Sequence, residues 1–248
     1  MITALTRLGI AALLVAAAMA GAVALTHKAE APKTDANAAA TTATSNIDPI
    51  PLKLPKPRID GTPKNVPPGT PVKITKDPGK PREPFLAPKG VKNVALKRPV
   101  TASDNHPVIG TLDLVTDGNK EAVEGAFVAL GPGVQWVQID LGSAMPIYAI
   151  VLWHEHKDPR VYHDVIIQVS DDKDFIENVR TIFNNDHDNS AGMGIGEDWG
   201  YFETNEGLLA PAKGVKARYV RLYSNGSTGD DVNRYTEVEV YGRPDKAK

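Results

Sequence analysis

The sequence predicts an all-β domain, an antiparallel β-sandwich of the jelly-roll kind, preceded by a long tail. Three observations predict it. From Asn93 onward, short β-rich runs alternate with Gly, Asn, Asp and Pro and no long amphipathic helix intervenes. No helical pattern supplies the crossovers that a parallel sheet requires. The chain also has no cysteine, which excludes disulfides, thiolate metal sites and cysteine nucleophiles and leaves packing, with or without a hard cation, to hold the fold.

Along the chain, Arg7 precedes an uncharged stretch from Leu8 to Leu25 that is mostly Ala, Leu, Val, Gly and Met. This is the pattern of an export address. Residues 1–26 are expected to be either a signal peptide, cut near Ala18-Met19-Ala20, or an uncleaved N-terminal membrane anchor. The protein is therefore expected outside the cytoplasm: secreted, periplasmic or on the cell surface.

Residues 27–92 read as a linker, Ala/Thr-rich to Ser45 and then Pro/Lys-rich, with 12 of the 20 prolines between Pro49 and Pro88. Such a composition has little apolar surface to bury and favours extended backbone, so a largely disordered spacer is expected. Pro84-Phe85-Leu86-Ala87-Pro88 is the exception, a short apolar segment able to dock on the domain. Residues 1–92 carry 13 Lys+Arg against 6 Asp+Glu, whereas residues 93–248 carry 15 against 24. An acidic domain argues against nucleic acid as ligand. The basic tail suits contact with membrane or cell-wall polymer, or is simply solvated spacer.

Within the domain, residues 93–243, the predicted strands are Val134 to Leu141, Ile147 to Glu155, Asp164 to Ser170, Val179 to Phe183, Ala217 to Ser224 and Tyr235 to Tyr241. The last shows period two, with Val238 and Val240 on one side and Glu237, Glu239 and Tyr241 on the other. Residues 244–248 are a short tail.

Asn93-Val94-Ala95, Val115-Thr116-Asp117-Gly118-Asn119, Trp136 to Gly142, Val165 to Asp171, Arg218-Tyr219-Val220-Arg221-Leu222 and Glu237 to Gly242 follow one another in an order and spacing that resemble the discoidin, or coagulation-factor C-type, domain. That family belongs to the galactose-binding-like jelly rolls, with fucose-binding lectins and family 32 carbohydrate-binding modules. The resemblance implies a structural calcium ion held by Asp117, Asn119 and Glu237 with the carbonyl of Thr236. A loop rich in Asp, Gly and Asn can present the several oxygens that calcium takes; read alone, the same residues form an ordinary turn and a solvated strand carboxylate.

Related lectins bind sugar on end loops, and the resemblance points to Arg160 after Pro159, and to Arg234 and Tyr235 at the last strand. Arg160 reads equally as an ion-pair partner of Asp158 or Asp164. The histidine or tryptophan that the family places after its calcium loop is missing near Ala126-Phe127. His154, His156 and His163 read as loop-anchoring or ligand-facing groups, or as three convergent metal ligands. An acidic stretch from Asp171 to Glu206 offers Trp199 as a sugar-stacking ring, and its charge suits either a second cation or water. Serine nucleophile elbows, Walker loops and the metalloprotease histidine-glutamate signature are absent. The expected function is an exported, non-catalytic module that binds a glycan or cell-surface polymer. The alternatives are a protein-binding module on the same fold and a metal-dependent hydrolase.

Overall fold

A computed structural model describes residues 46–57, 73–75 and 80–244. The predicted export address, residues 27–45 of the linker and nearly all of the C-terminal tail lie outside the described residues. Among the described residues no helix is long and apolar enough to cross a membrane. The strands are β1 (Ile47–Pro49), β2 (Leu86–Pro88), β3 (Lys92–Asn93), β4 (Val100–Ala102), β5 (Val128–Leu130), β6 (Gln135–His154), β7 (Ile166–Ser170), β8 (Arg180–Asn184), β9 (Leu208–Ser224) and β10 (Asn233–Gly242). Their only helical companion among the described residues is a 3-10 turn, Leu112–Thr116.

Hydrogen bonding runs β3-β10-β6-β9-β7-β8, with β4 joined to β6 and β5 to β10. The pairings among these strands are antiparallel. Two strands are long because each serves both layers of the sandwich. The first half of β6, Gln135 to Asp140, pairs with Tyr219 to Ser224; its second half, from Met145, pairs with Leu208 to Ala217 and with β10. The register breaks between Asp140 and Met145, where Gly142 takes φ 86°, and β9 turns at Lys213 and Gly214, both at positive φ. The sequence splits β6 into two strands and starts β9 late because Gly142, Pro211 and Gly214 read as strand breakers. Here they mark the corner where a strand changes layer.

Period two then places the core. Val137, Ile139 and Leu141 from the first half of β6, Ile150 and Leu152 from its second half, Val220 and Leu222 of β9, and Val238 and Val240 of β10 form one buried cluster between the layers. Burial of side chains of this size contributes about 1.5–3 kcal/mol each, which is how a cysteine-free domain stands.

The two outer faces differ. On the β10 layer, Ala149, Val151, Trp153 and Tyr241 form a second cluster with Ile50, Ala87 and Val91, backed by Leu52 and Phe85. β1 pairs with β2 over this face. Arg82 fastens the cover by donating to the carbonyls of Glu206 and Gly207 at 2.9 and 3.0 Å, and Asn205 Nδ2 donates to the carbonyl of Pro55 at 3.1 Å. Packed structure thus begins ahead of Asn93, within the stretch that reads as linker. Its apolar residues are few, but they sit where the sheet would otherwise be bare. On the opposite layer, the outer face carries Trp136, Gln138 and Asp140 of β6 against Tyr223, Arg221 and Tyr219 of β9.

Candidate functional site

The 3-10 turn ends at Asp117 and brings the Asp117-Gly118-Asn119 loop to β10, where the Gly118 N–H donates to Glu237 Oε2 at 3.0 Å. Asp117 Oδ1 accepts the Asn119 N–H at 2.7 Å, and Asn119 Oδ1 accepts the Glu121 N–H at 3.2 Å. Glu237 Oε1 and Thr236 Oγ1 are buried without a hydrogen-bond partner. Burial pushes the Glu237 carboxyl up to about 8; the Gly118 N–H opposes this, while the charges of Glu239 and Asp117 add to it. Glu239 is already matched, by an ion pair with Lys120 and by the Tyr241 hydroxyl at 2.7 Å. An unmatched buried carboxylate oxygen beside a second carboxylate fits a hard, oxygen-seeking cation.

At the end of the sandwich, Arg160 spans Asp230 at 2.9 Å, Glu155 at 3.4 Å and Asp158 at 3.6 Å. Arg234 holds the other oxygen of Asp230 at 2.6 Å. Burial alone would raise the Asp230 carboxyl, but hydrogen bonds from Arg234 and Arg160 pull it down to about 2. Gly229 permits this approach, since a Cβ there would come within 2.8 Å of Arg160 Nη1. The guanidinium expected to meet a ligand is instead spent on tying two loops together. Asp158 is one partner, as the sequence allows. Asp164 is not; its Oδ2 accepts from Ser190 and Asn225.

The histidines do not converge. His154 is fully buried, its Nδ1 2.7 Å from Glu203 Oε1 and its ring stacked on Tyr162 at 4.0 Å between centroids. His156 is buried, with Nε2 3.0 Å from the Lys120 carbonyl. His163 is half-buried, and its backbone pairs with Gly226 and Asn225. Tyr235 also belongs to the core: it is fully buried and its hydroxyl meets Ser224 Oγ at 2.9 Å. His154, His156 and Tyr235 therefore present no face to a ligand, because each sits where β6 and β10 run into the packed end of the sandwich.

Trp199 is 54% exposed. Carboxylate oxygens of Asp186 and Asp188, in the loop ahead of it, and of Asp164, just before β7, lie within 4.8 Å of one another. They accept loop donors, including the Ser190 and Ala191 N–H groups. These contacts account for the cluster as a loop fastener.

A groove of about 560 Å³ opens on the outer face opposite the β10 layer, beside the loop after β7, whose Lys173 carbonyl accepts from Gln138 Nε2 at 3.0 Å. Trp136, Gln138 and Asp140 line it from β6, Tyr219 and Arg221 from β9, and Lys173 from the loop after β7. Arg221 lies 4.3 Å from the Trp136 ring centre and 4.2 Å from that of Phe175. Its Nε donates to Gln138 Oε1 at 2.7 Å and its Nη2 to the Lys173 carbonyl at 3.2 Å. Asp140 accepts two bonds of 2.8 Å from Arg218, which hold its carboxyl below the usual value. The result is a concave surface of two aromatic rings with fixed polar groups between them.

A sequence model of the F5/8 type C domain matches residues 99–238, more than half of the chain. The chain belongs to this family. No curated protein matches it. Among solved structures, chitosan-binding module 1 of a chitosanase/glucanase from Paenibacillus sp. IK-5 is 23% identical with a TM-score of 0.44, over 60% of this chain and 98% of that one. A fucose-binding module from Streptococcus pneumoniae is 19% identical with a TM-score of 0.42, over 60% and 96%. A family 89 glycoside hydrolase from Clostridium perfringens is 21% identical with a TM-score of 0.45, over 63% of this chain and 16% of that one.

In this F5/8 type C domain, the residues singled out in the sequence fall into separate places. Asp117, Asn119, Thr236 and Glu237 come together; Arg160 and Arg234 meet on Asp230; Trp199 stands apart from both in the acidic loop. The residues that sequence reasoning passes over are Trp136, Gln138, Tyr219 and Arg221. Their signal is the same period two that places Val137, Ile139, Val220 and Leu222 inside.

Proposed function

We propose that this F5/8 type C domain is an exported, non-catalytic module that binds carbohydrate on the outer face of its sandwich and carries a structural calcium ion. The groove between Trp136 and Tyr219 supports the binding role. Sugars are held by combining a ring face, which covers their apolar side, with fixed donors and acceptors for their hydroxyls. The Asp140 carboxylate, held in place by Arg218, and the hydroxyls of Thr101 and Tyr219 supply such groups, while Gln138 and Arg221 bond to each other and to the Lys173 carbonyl. The calcium ion would be held by Asp117, Asn119, Glu237 and the Thr236 carbonyl. It would supply positive charge to the buried Glu237 carboxylate and so pin the loop to β10.

The Leu8–Leu25 stretch supports export, and adhesion at a cell surface follows if the basic tail stays near the envelope. Mass spectrometry of the native N-terminus separates a cleaved address from a retained anchor, and an intact chain in the cytosol would contradict both.

Screening the full chain on immobilised glycans, in calcium and after chelation, tests the function. Binding is expected in calcium. A protein that is folded, calcium-loaded and silent on every glycan contradicts the reading.

A further inference from the structure

Resting on that reading, we infer that the groove takes the interior of a linear, uncharged polysaccharide rather than a terminal sugar. Its length carries the first half of this inference. Trp136 stands opposite Tyr223, and Tyr219 opposite Asp140, so the two ring platforms lie at the two ends of a stretch four residues long, each with one face toward a guanidinium, Arg221 and Arg218, and the other left for a ligand. That is about 13 Å along the strands, the span of a short run of linked pyranose rings and more than one ring can cover. The groove also runs along a sheet face, with Pro99 and Thr101 on one side and Lys173 and Asp174 of the loop after β7 on the other, and so does not force a chain end upon its ligand. A pocket for a terminal residue is closed on the far side; a groove between two platforms lets the chain continue past both.

The charges carry the second half. Every charged group lining the groove already has a partner within the protein. Asp140 is held by both arms of Arg218. Lys173 lies 3.9 Å from Asp174. Arg221 is sandwiched between two rings and spends its N–H groups on Gln138, Tyr223 and the Lys173 carbonyl, with Asp172 close enough for Arg221 to lower its carboxyl. A ligand carboxylate or sulfate would have to compete with these partners, within a domain that carries nine more acidic than basic residues from residue 93 onward. A neutral ligand need only exchange hydrogen bonds with the hydroxyls of Thr101 and Tyr219, which line the groove. The gain from each ring is then cumulative, because a chain long enough to reach both platforms gathers contacts that a short one cannot.

The test is calorimetric titration of the full chain with neutral linear oligosaccharides (cello-, manno-, xylo- and N-acetylated chito-series) from disaccharide to hexasaccharide, at low and high salt. One series should gain about tenfold in affinity or more between disaccharide and tetrasaccharide. The gain should level off at the hexasaccharide and survive blocking of the chain ends. High salt should change affinity less than twofold, since no ion pair forms with the ligand. Trp136→Ala should lose binding at every length, whereas Tyr219→Ala, on the far platform, should remove the length gain and leave the disaccharide affinity. Melting curves confirm that both variants fold. A monosaccharide that binds as tightly as the tetrasaccharide, or full affinity in both variants, overturns the groove while leaving a glycan-binding function in place. Binding confined to charged glycans and lost in salt also overturns it. No binding of any glycan overturns the function itself.

Discussion

Glu203→Ala is expected to lower the melting temperature by about 10 °C, corresponding to a loss of about 3–5 kcal/mol. Glu203 and His154 are both fully buried and meet at 2.7 Å. The pair sits under Tyr162, which stacks on the imidazole, and beside Tyr201, whose hydroxyl is pushed well above its ordinary value by burial and by the Glu203 charge. Removing the carboxylate leaves His154 Nδ1 without its partner in a place that water does not readily reach, so the full desolvation cost of an unmatched polar group appears. Domains of this size have roughly 5–15 kcal/mol of stability in total, so the variant should survive as a folded but marginal protein. His154→Phe alone should be similarly damaging. His154→Phe with Glu203→Leu should cost less than either single change, because the pair is then replaced by apolar groups of similar volume. Urea unfolding of the four proteins gives the cycle. A Glu203→Ala variant within about 1 kcal/mol of the parent would mean that the pair is not closed as described.

Calcium added to chelator-treated protein is expected to raise the melting temperature by about 5–10 °C, from roughly 2.7 kcal/mol at a hundredfold excess over the dissociation constant. The sign of the pH dependence follows from Glu237. Its folded carboxyl titrates near 8, above the ordinary value of 4.5. Between those limits the metal-free folded state holds a proton that the unfolded chain has lost, so stability falls as pH rises through that window. A bound cation stabilises the ionised form, and the calcium effect should therefore grow from pH 5 to pH 8. Glu237→Gln should remove both the calcium shift and the slope, since the amide neither ionises nor offers a carboxylate. Scanning calorimetry at several pH values measures both. An identical melting temperature with and without calcium, in protein shown to be metal-free at the start, would contradict the site.

How far the sequence reaches depends on whether an interaction is local. The alternation of β10 is readable residue by residue, and Val238 and Val240 do point inward while Glu237, Glu239 and Tyr241 point out. That those outward residues are nonetheless buried is not readable: Tyr241 packs with Ile50, Ala87 and Val91 from a segment whose composition resembles a spacer, and Glu237 and Glu239 meet Gly118 and Lys120, each 119 residues away. Asp158 is legible as a partner of Arg160 because it lies two residues away. Asp230, 70 residues on, is not. The same holds for His154 and Glu203, 49 residues apart. The groove is an intermediate case. Trp136, Gln138 and Asp140 alternate visibly with the core, as do Tyr219 and Arg221, but only the antiparallel register sets the two rows side by side.

Carbohydrate binding between Trp136 and Tyr219 can be read directly from the three tryptophans. Trp136 lines the groove, Trp199 stands in the acidic loop, and Trp153 is buried under residues 46–57 and 80–92. Their indole N–H resonances can be followed separately as a bound oligosaccharide is titrated into labelled protein. The Trp136 resonance is expected to move to saturation while those of Trp153 and Trp199 stay where they are. A moving Trp199 with an unmoved Trp136 would contradict it and transfer the binding site to the acidic loop.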